Sequence, residues 1–215
     1  VADDAAIKRE FMGSFFDDFE AKVAFLPELA ETGHRVEALI LCLVYIEGLG
    51  NNLYSDDNES MRNFVHVIRD HGDEPLLLLH HPGMLLRALP RKPAIAKQTV
   101  TAITPLLMAQ PTTLLDDAEL AALVEPALSA EQLQWLKAEM WRGTLAGIVY
   151  MRMRSSAVHQ GLVAALYFSE TTRRGQAIPP LDFDLLLAVL QRIAAAARDL
   201  SMDSGKWFGN DAVLQ

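Results

Sequence analysis

Arg35-Val-Glu-Ala-Leu-Ile-Leu-Cys-Leu-Val-Tyr-Ile-Glu-Gly-Leu-Gly50 is the stretch that decides the fold. Nine apolar residues run without a break from Ala38 to Ile46, and Glu47 follows at once. The segment His34 to Tyr54 is apolar nearly all round, which reads as a central helix buried on most faces. A helix that crosses a bilayer needs about 20 apolar residues, so no membrane partner is expected. Gly48, Gly50, Asn51 and Asn52 suffice to close the helix.

Working outward, the same helical period recurs almost everywhere. Ile7, Phe11, Phe15, Phe19, Val23 and Leu26 predict an N-terminal helix over residues 3–29, with Pro27 and Gly33 closing it. Ser55 to Ser60 is a polar break before a helix with Met61, Phe64, Val65 and Ile68 on one face and Gly72 at its end. Six of the ten prolines lie between Pro75 and Pro111, which predicts short helical turns there. Leu114 to Glu125 reads as a short helix. Ser129-Ala-Glu-Gln132 fits a capping box that opens a long helix through Met153. Ala164 to Ser169 reads as a strand, and Arg173-Arg174-Gly175 as a turn from which Gln176 to Ile178 pairs back. Leu181 to Leu200 is a last amphipathic helix, before a tail over 201–215. The expected fold is an all-α helical bundle with one small hairpin, in a single domain over 1–215.

Composition narrows the class. The chain has 215 residues, 51% of them hydrophobic and 22% charged, which excludes a disordered chain. One cysteine, Cys42, excludes a disulfide framework or a zinc ribbon. The opening Val-Ala-Asp-Asp has no basic flank and apolar core, so a cytoplasmic setting is expected. A net charge of −9 argues against a broad nucleic-acid-binding surface. The charge is uneven, however. The 33 residues from Arg142 to Arg174 hold five arginines and one acid, Glu170, so they carry +4 and the other 182 carry −13.

Motifs were weighed in turn. His66, His71, His80 and His81 lie close together, but only His66 and Asp70 have the i, i+4 spacing of helical ligands. They read as surface and loop histidines, and no metal or other cofactor is expected. Gly13-Ser14 with Asp17-Asp18 lacks the alternating carboxylates of a nucleotidyltransferase. Two features remain. Glu47 enters an apolar core, sharing a face with Asn51, and needs a partner or a shifted pKa there; it reads either as reaching out at the core's edge or as holding a cation elsewhere in the fold. Met151-Arg152-Met-Arg154-Ser155-Ser-Ala-Val-His159-Gln-Gly161 carries an arginine, four residues, then a histidine. On an ideal helix Ile148, Arg152, Ser155 and His159 form one stripe, with Arg154 about 140° from His159. The two converge only if the helix ends between them or a second copy supplies the partner.

Together, Leu43-Val-Tyr-Ile-Glu-Gly-Leu-Gly50, the Arg62-Asn-Phe-Val65 helix and Tyr150-Met-Arg-Met-Arg-Ser-Ser-Ala-Val-His-Gln-Gly161 resemble the HEPN family, the "higher eukaryotes and prokaryotes nucleotide-binding" domains. The resemblance spans roughly residues 35–200. It implies a helical bundle, a homodimer and, in many members, a metal-independent endoribonuclease of toxin–antitoxin or defence systems, with RNA or a nucleotide as partner. It makes Arg154 and His159 the catalytic pair, acting across a homodimer cleft, with Glu47 or Asn51 as the polar partner from the core helix. Arg152 is then a second phosphate contact. Ser155 departs from the Asn, Asp or His often found after the family's arginine. The alternative is a non-catalytic HEPN-like binding or regulatory module in which Arg154 pairs structurally with Glu47.

Overall fold

The computed structural model describes residues 2–54, 59–154 and 165–207. In chain order the helices are α1 (Ala2–Leu29), α2 (Arg35–Leu53), α3 (Ser60–His71), α4 (Pro75–Leu78), α5 (Pro82–Ala88), α6 (Ala94–Met108), α7 (Asp117–Val124), α8 (Ala130–Glu139), α9 (Leu145–Val149) and α10 (Phe183–Ser204). Four two-residue strands accompany them: β1 (Ala165–Leu166), β2 (Thr172–Arg173), β3 (Gln176–Ala177) and β4 (Leu181–Asp182). The fold is all-α with minor β structure, as the periodicity predicts. The sequence reads as one domain, whereas its contacts gather into two compact units.

The first unit comprises Val1–Asp73, Arg154–Ala165 and Leu181–Gln215. Its centre is α2, whose Ala38, Leu39, Cys42, Leu43, Ile46 and Leu49 are buried. By length and composition, Ala5–Leu53 contains a window apolar enough to cross a membrane. Here α2 meets α1, α3 and α10. Pro27 does not close α1 but lies inside it, and the chain turns at Gly33, whose φ of +95° favours glycine. Gly50 allows the closest approach, since a Cβ there would lie 2.8 Å from the Asn63 carbonyl oxygen of α3. In α10, Leu186, Val189, Leu190, Ile193, Ala194 and Ala197 make the buried stripe. Asp182 caps its start, and Gly205 ends it with φ +64°.

The second unit comprises Glu74–Met153 and Leu166–Pro180. It has its own core, built around Leu85, Val100, Ile103, Leu107, Leu120 and Leu136. The proline-rich stretch is only partly broken into short turns, because α6 runs for 15 residues through Pro105. Pro105 and Thr101 are both exposed, so water can take the Thr101 carbonyl that loses its amide partner. The long helix expected from Ser129 to Met153 does not form. The Ser129–Gln132 capping box is present, but α8 ends at Glu139, a 3-10 turn follows, and Thr144 caps a new helix by accepting the Gly147 N–H at 3.1 Å. Packing causes the break. A Cβ on Gly143 would lie 2.5 Å from Leu85 Cβ, and the Gly143 carbonyl accepts the His81 N–H at 2.8 Å. The expected helix over Leu114 to Glu125 starts later, at Asp117, after a capping box of Asp116 and Glu119. A small hairpin is present, but its first strand is β2 and not the expected 164–169 segment: β2 pairs antiparallel with β3 through Arg174 and Gly175, both at positive φ.

Candidate functional site

Glu47 finds its partner within the first unit. Arg154 Nε donates to Glu47 Oε2 at 2.6 Å, joining positions 107 residues apart in sequence. The Glu47 side chain is 9% exposed and that of Arg154 is 26% exposed, so a buried carboxylate is neutralised by an arginine at the rim. The helix restarts at Thr144, and Tyr150–Arg154 then forms a π turn. A wider turn shifts every later side chain off the 100° step of an α-helix. Of the stripe expected for an ideal helix, Ile148 lies in α9 and Arg152 in the π turn. Ser155 and His159 lie outside the described residues.

Asn51 serves the α2–α3 contact. Asn63 Nδ2 donates to Asn51 Oδ1 at 3.0 Å, and Asn51 Nδ2 donates to Ser60 Oγ at 3.4 Å. Among the described residues it is thus Glu47, not Asn51, that holds Arg154. Arg152 is exposed, and no hydrogen bond or ion pair engages it among the described residues.

The arginine-rich segment is largely compensated. Arg142 Nε bonds Glu139 at 2.7 Å, Arg154 bonds Glu47, and Arg174 lies 3.9 Å from Glu119. Arg173 is held by Glu119, by Asp116 at 3.0 Å and by the Leu114 carbonyl at 2.9 Å. The Arg173 hydrogen bond is the main cause that holds the Glu119 carboxyl below its usual range. For Asp116, the backbone N–H of Glu119 is the larger cause and Arg173 adds to it. The signal for this clamp was legible in Asp116-Asp-Ala-Glu119, a capping-box spacing ahead of an apolar run.

The histidines correct the surface reading in part. His80 is 1% exposed and His81 is 8% exposed. His80 Nε2 lies 2.6 Å from Asp117 Oδ1. His81 Nδ1 accepts the Met84 N–H at 3.3 Å and so caps α5, while its Nε2 meets Thr171 Oγ1 at 3.2 Å. Burial draws the His81 pKa below its ordinary value, and Arg87 adds to this against an opposing backbone hydrogen bond. His66 stacks edge-on to Tyr54, with ring centroids 5.7 Å apart. Its spacing partner Asp70 instead accepts from Tyr54 Oη at 2.5 Å and Arg69 Nε at 2.7 Å. Burial pushes the Asp70 carboxyl up, but these hydrogen bonds outweigh it and hold the group low. Among the described residues no group of three His, Cys, Asp or Glu side chains is placed to hold a metal ion.

A cleft of about 760 Å³ in the second unit is lined by Leu76, Leu78, Leu79, Asp116, Asp117 and Arg173, among others. Among the described residues, none of the sequence-predicted site residues lines it. No protein-family model, no curated protein and no solved structure matches the chain.

Proposed function

We propose that the chain is a HEPN-like protein that acts as a metal-independent endoribonuclease through Arg154 and His159. The observation that carries the reading is the 2.6 Å contact between Arg154 and Glu47. It supplies the core-helix carboxylate that the arginine needs for a defined orientation. Cleavage of RNA needs no metal when the 2′-hydroxyl attacks the adjacent phosphate. The protein must then move protons and stabilise charge on the phosphorane oxygens. In this reading the 2′-oxygen bonds to phosphorus as the bond to the 5′-oxygen breaks, and the His159 imidazoles of the two copies take the 2′-hydroxyl proton and protonate the leaving 5′-oxygen. Arg154 stabilises the developing charge with its guanidinium, and Glu47 fixes the plane of that group. Arg152, exposed two residues earlier, contacts a neighbouring phosphate.

The test is incubation of the purified protein with structured and single-stranded RNA in excess EDTA. Cleavage that His159→Ala abolishes and EDTA leaves intact supports the reading. Undiminished cleavage by His159→Ala, or no cleavage of any substrate, overturns it.

One observation favours a second reading. Glu47 is buried and Arg142, Arg154, Arg173 and Arg174 all face carboxylates, which leaves little open positive charge for a polyanion. Here the chain is a non-catalytic HEPN-like binding module, and the pair ties the Arg154 segment to α2. Arg154→Ala then lowers stability and changes no nuclease activity.

A further inference from the structure

Residues 76–79 are four consecutive leucines, and the core of the second unit takes only part of them. Leu77 is buried, whereas Leu76, Leu78 and Leu79 stay half-buried and floor the cleft of about 760 Å³. That volume falls within the range of about 300–1,000 Å³ found for small-molecule sites. Apolar surface left open to water favours a ligand with an apolar body, which would remove it from solvent.

Among the described residues, the charges that border the cleft divide by sign: Asp116 and Asp117 at the start of α7, Arg173 and Arg174 at the β2–β3 turn. Arg173 and Asp116 lie 3.0 Å apart and neutralise each other. Asp117 and Arg174 instead face solvent, 78% and 77% exposed. Each is held there at a cost. A carboxylate only accepts, so His80 Nε2 donates to Asp117 Oδ1 at 2.6 Å. His80 is almost fully buried, and its Nδ1 has no hydrogen-bond partner among the described residues. Folding alone gives no reason to orphan a buried ring nitrogen in order to orient a surface carboxylate. Arg174 stands at φ +50° in a two-residue turn that asparagine, aspartate or glycine suits better. Its ion pair to Glu119 is long, at 3.9 Å, and Glu119 already accepts from Arg173. The turn thus tolerates strain and places a guanidinium at the rim.

We infer that the cleft binds a short apolar peptide with free ends, its ammonium on Asp117, its carboxylate on Arg174 and its side chains on the leucines. A fatty acid would meet Arg174 but bring its charge beside Asp116 and Asp117. An apolar amine would meet Asp117 and leave Arg174 without a role. A dipolar ligand with an apolar body answers the floor and both exposed charges at once. Every residue of the site lies in the second unit, so the site stands independently of the role of Arg154.

Isothermal titration calorimetry of the full chain with leucyl-leucine tests it, with circular dichroism to confirm that each variant is folded. Leucyl-leucine is expected to bind. N-acetyl-leucyl-leucine and leucyl-leucinamide should each bind about tenfold more weakly or worse, because each lacks one of the two charges. Diglycine, which has both charges and no apolar body, should bind weakly as well. Asp117→Asn leaves an amide oxygen for His80 and should weaken leucyl-leucine binding by about tenfold or more. Arg174→Asn should weaken it similarly while raising the thermal midpoint, since asparagine suits the turn. Binding lost as stability is gained separates a ligand-holding arginine from a structural one. Absence of leucyl-leucine binding at millimolar concentration overturns the proposal. So does equal binding of the blocked forms or of diglycine, or binding indifferent to Asp117→Asn and Arg174→Asn. Binding of decanoate in preference to leucyl-leucine would assign the cleft to a fatty acid instead.

Discussion

Arg154 Nε and Glu47 Oε2 stand 2.6 Å apart, with the carboxylate buried on α2 and the guanidinium at the rim. The asymmetry matters for mutagenesis. Removing the arginine takes a counter-charge from a buried carboxylate, whereas removing the carboxylate leaves a more exposed arginine able to turn towards water.

Arg154→Ala is therefore expected to cost about 2–3 kcal/mol, below the 3–5 typical of a fully buried pair because the arginine is partly solvated. Glu47→Gln should cost less. Urea unfolding of the two variants checks the order, and a larger loss in Glu47→Gln would contradict the assigned burial.

His81 makes the second unit acid-sensitive. Its Nδ1 must stay unprotonated to accept the Met84 N–H, and its folded-state pKa is depressed by burial. The unfolded chain, with a histidine pKa of about 6.5, therefore binds more protons than the folded one just below that pH. The contribution is full above that value and is lost as pH falls through the depressed folded value. Urea midpoints measured from neutral to mildly acidic pH should decline, and the decline should be shallower in His81→Asn, whose amide oxygen can still cap α5.

Gly50→Ala tests the α2–α3 contact. A Cβ 2.8 Å from the Asn63 carbonyl oxygen must push the helices apart, because backbone on both sides cannot swing away. The expected loss is about 1–3 kcal/mol, accompanied by loosening of the Asn51–Asn63 hydrogen bond. Loss of slow exchange at the Asn63 side-chain amide by NMR would report it, and unchanged stability would contradict the packing.

Arg173→Ala should release the β2–β3 hairpin from α7. With its guanidinium gone, the Glu119 carboxyl should titrate closer to the ordinary glutamate range. Carboxyl NMR titration of wild type and variant measures the difference. A Glu119 pKa that does not rise would refute the clamp.

The helices of the first unit were legible because their physics is local. Gly33 and Gly205 mark ends, and buried side chains recur at helical spacing in α2, α3 and α10. The long helix after Ser129 was misread because Gly143 looks tolerable within a helical period. Gly143 instead packs against Leu85, 58 positions away, with no room for a Cβ, a contact that the helical period cannot show. His80 and His81 were misread for a similar reason: Asp117 and Thr171 become their neighbours only once the second unit has folded.

For the candidate site, sequence alone determined that Glu47, a carboxylate after nine apolar residues, needs a partner, a shifted pKa or a route to water at the core's edge. It also proposed Arg154 as one candidate among the thirteen arginines. Tertiary structure alone decided that Arg154 is that partner, and that Asn51 turns to Asn63 and Ser60 instead. The physical reason is that a carboxylate and an arginine 107 positions apart in sequence become neighbours only once the chain has folded.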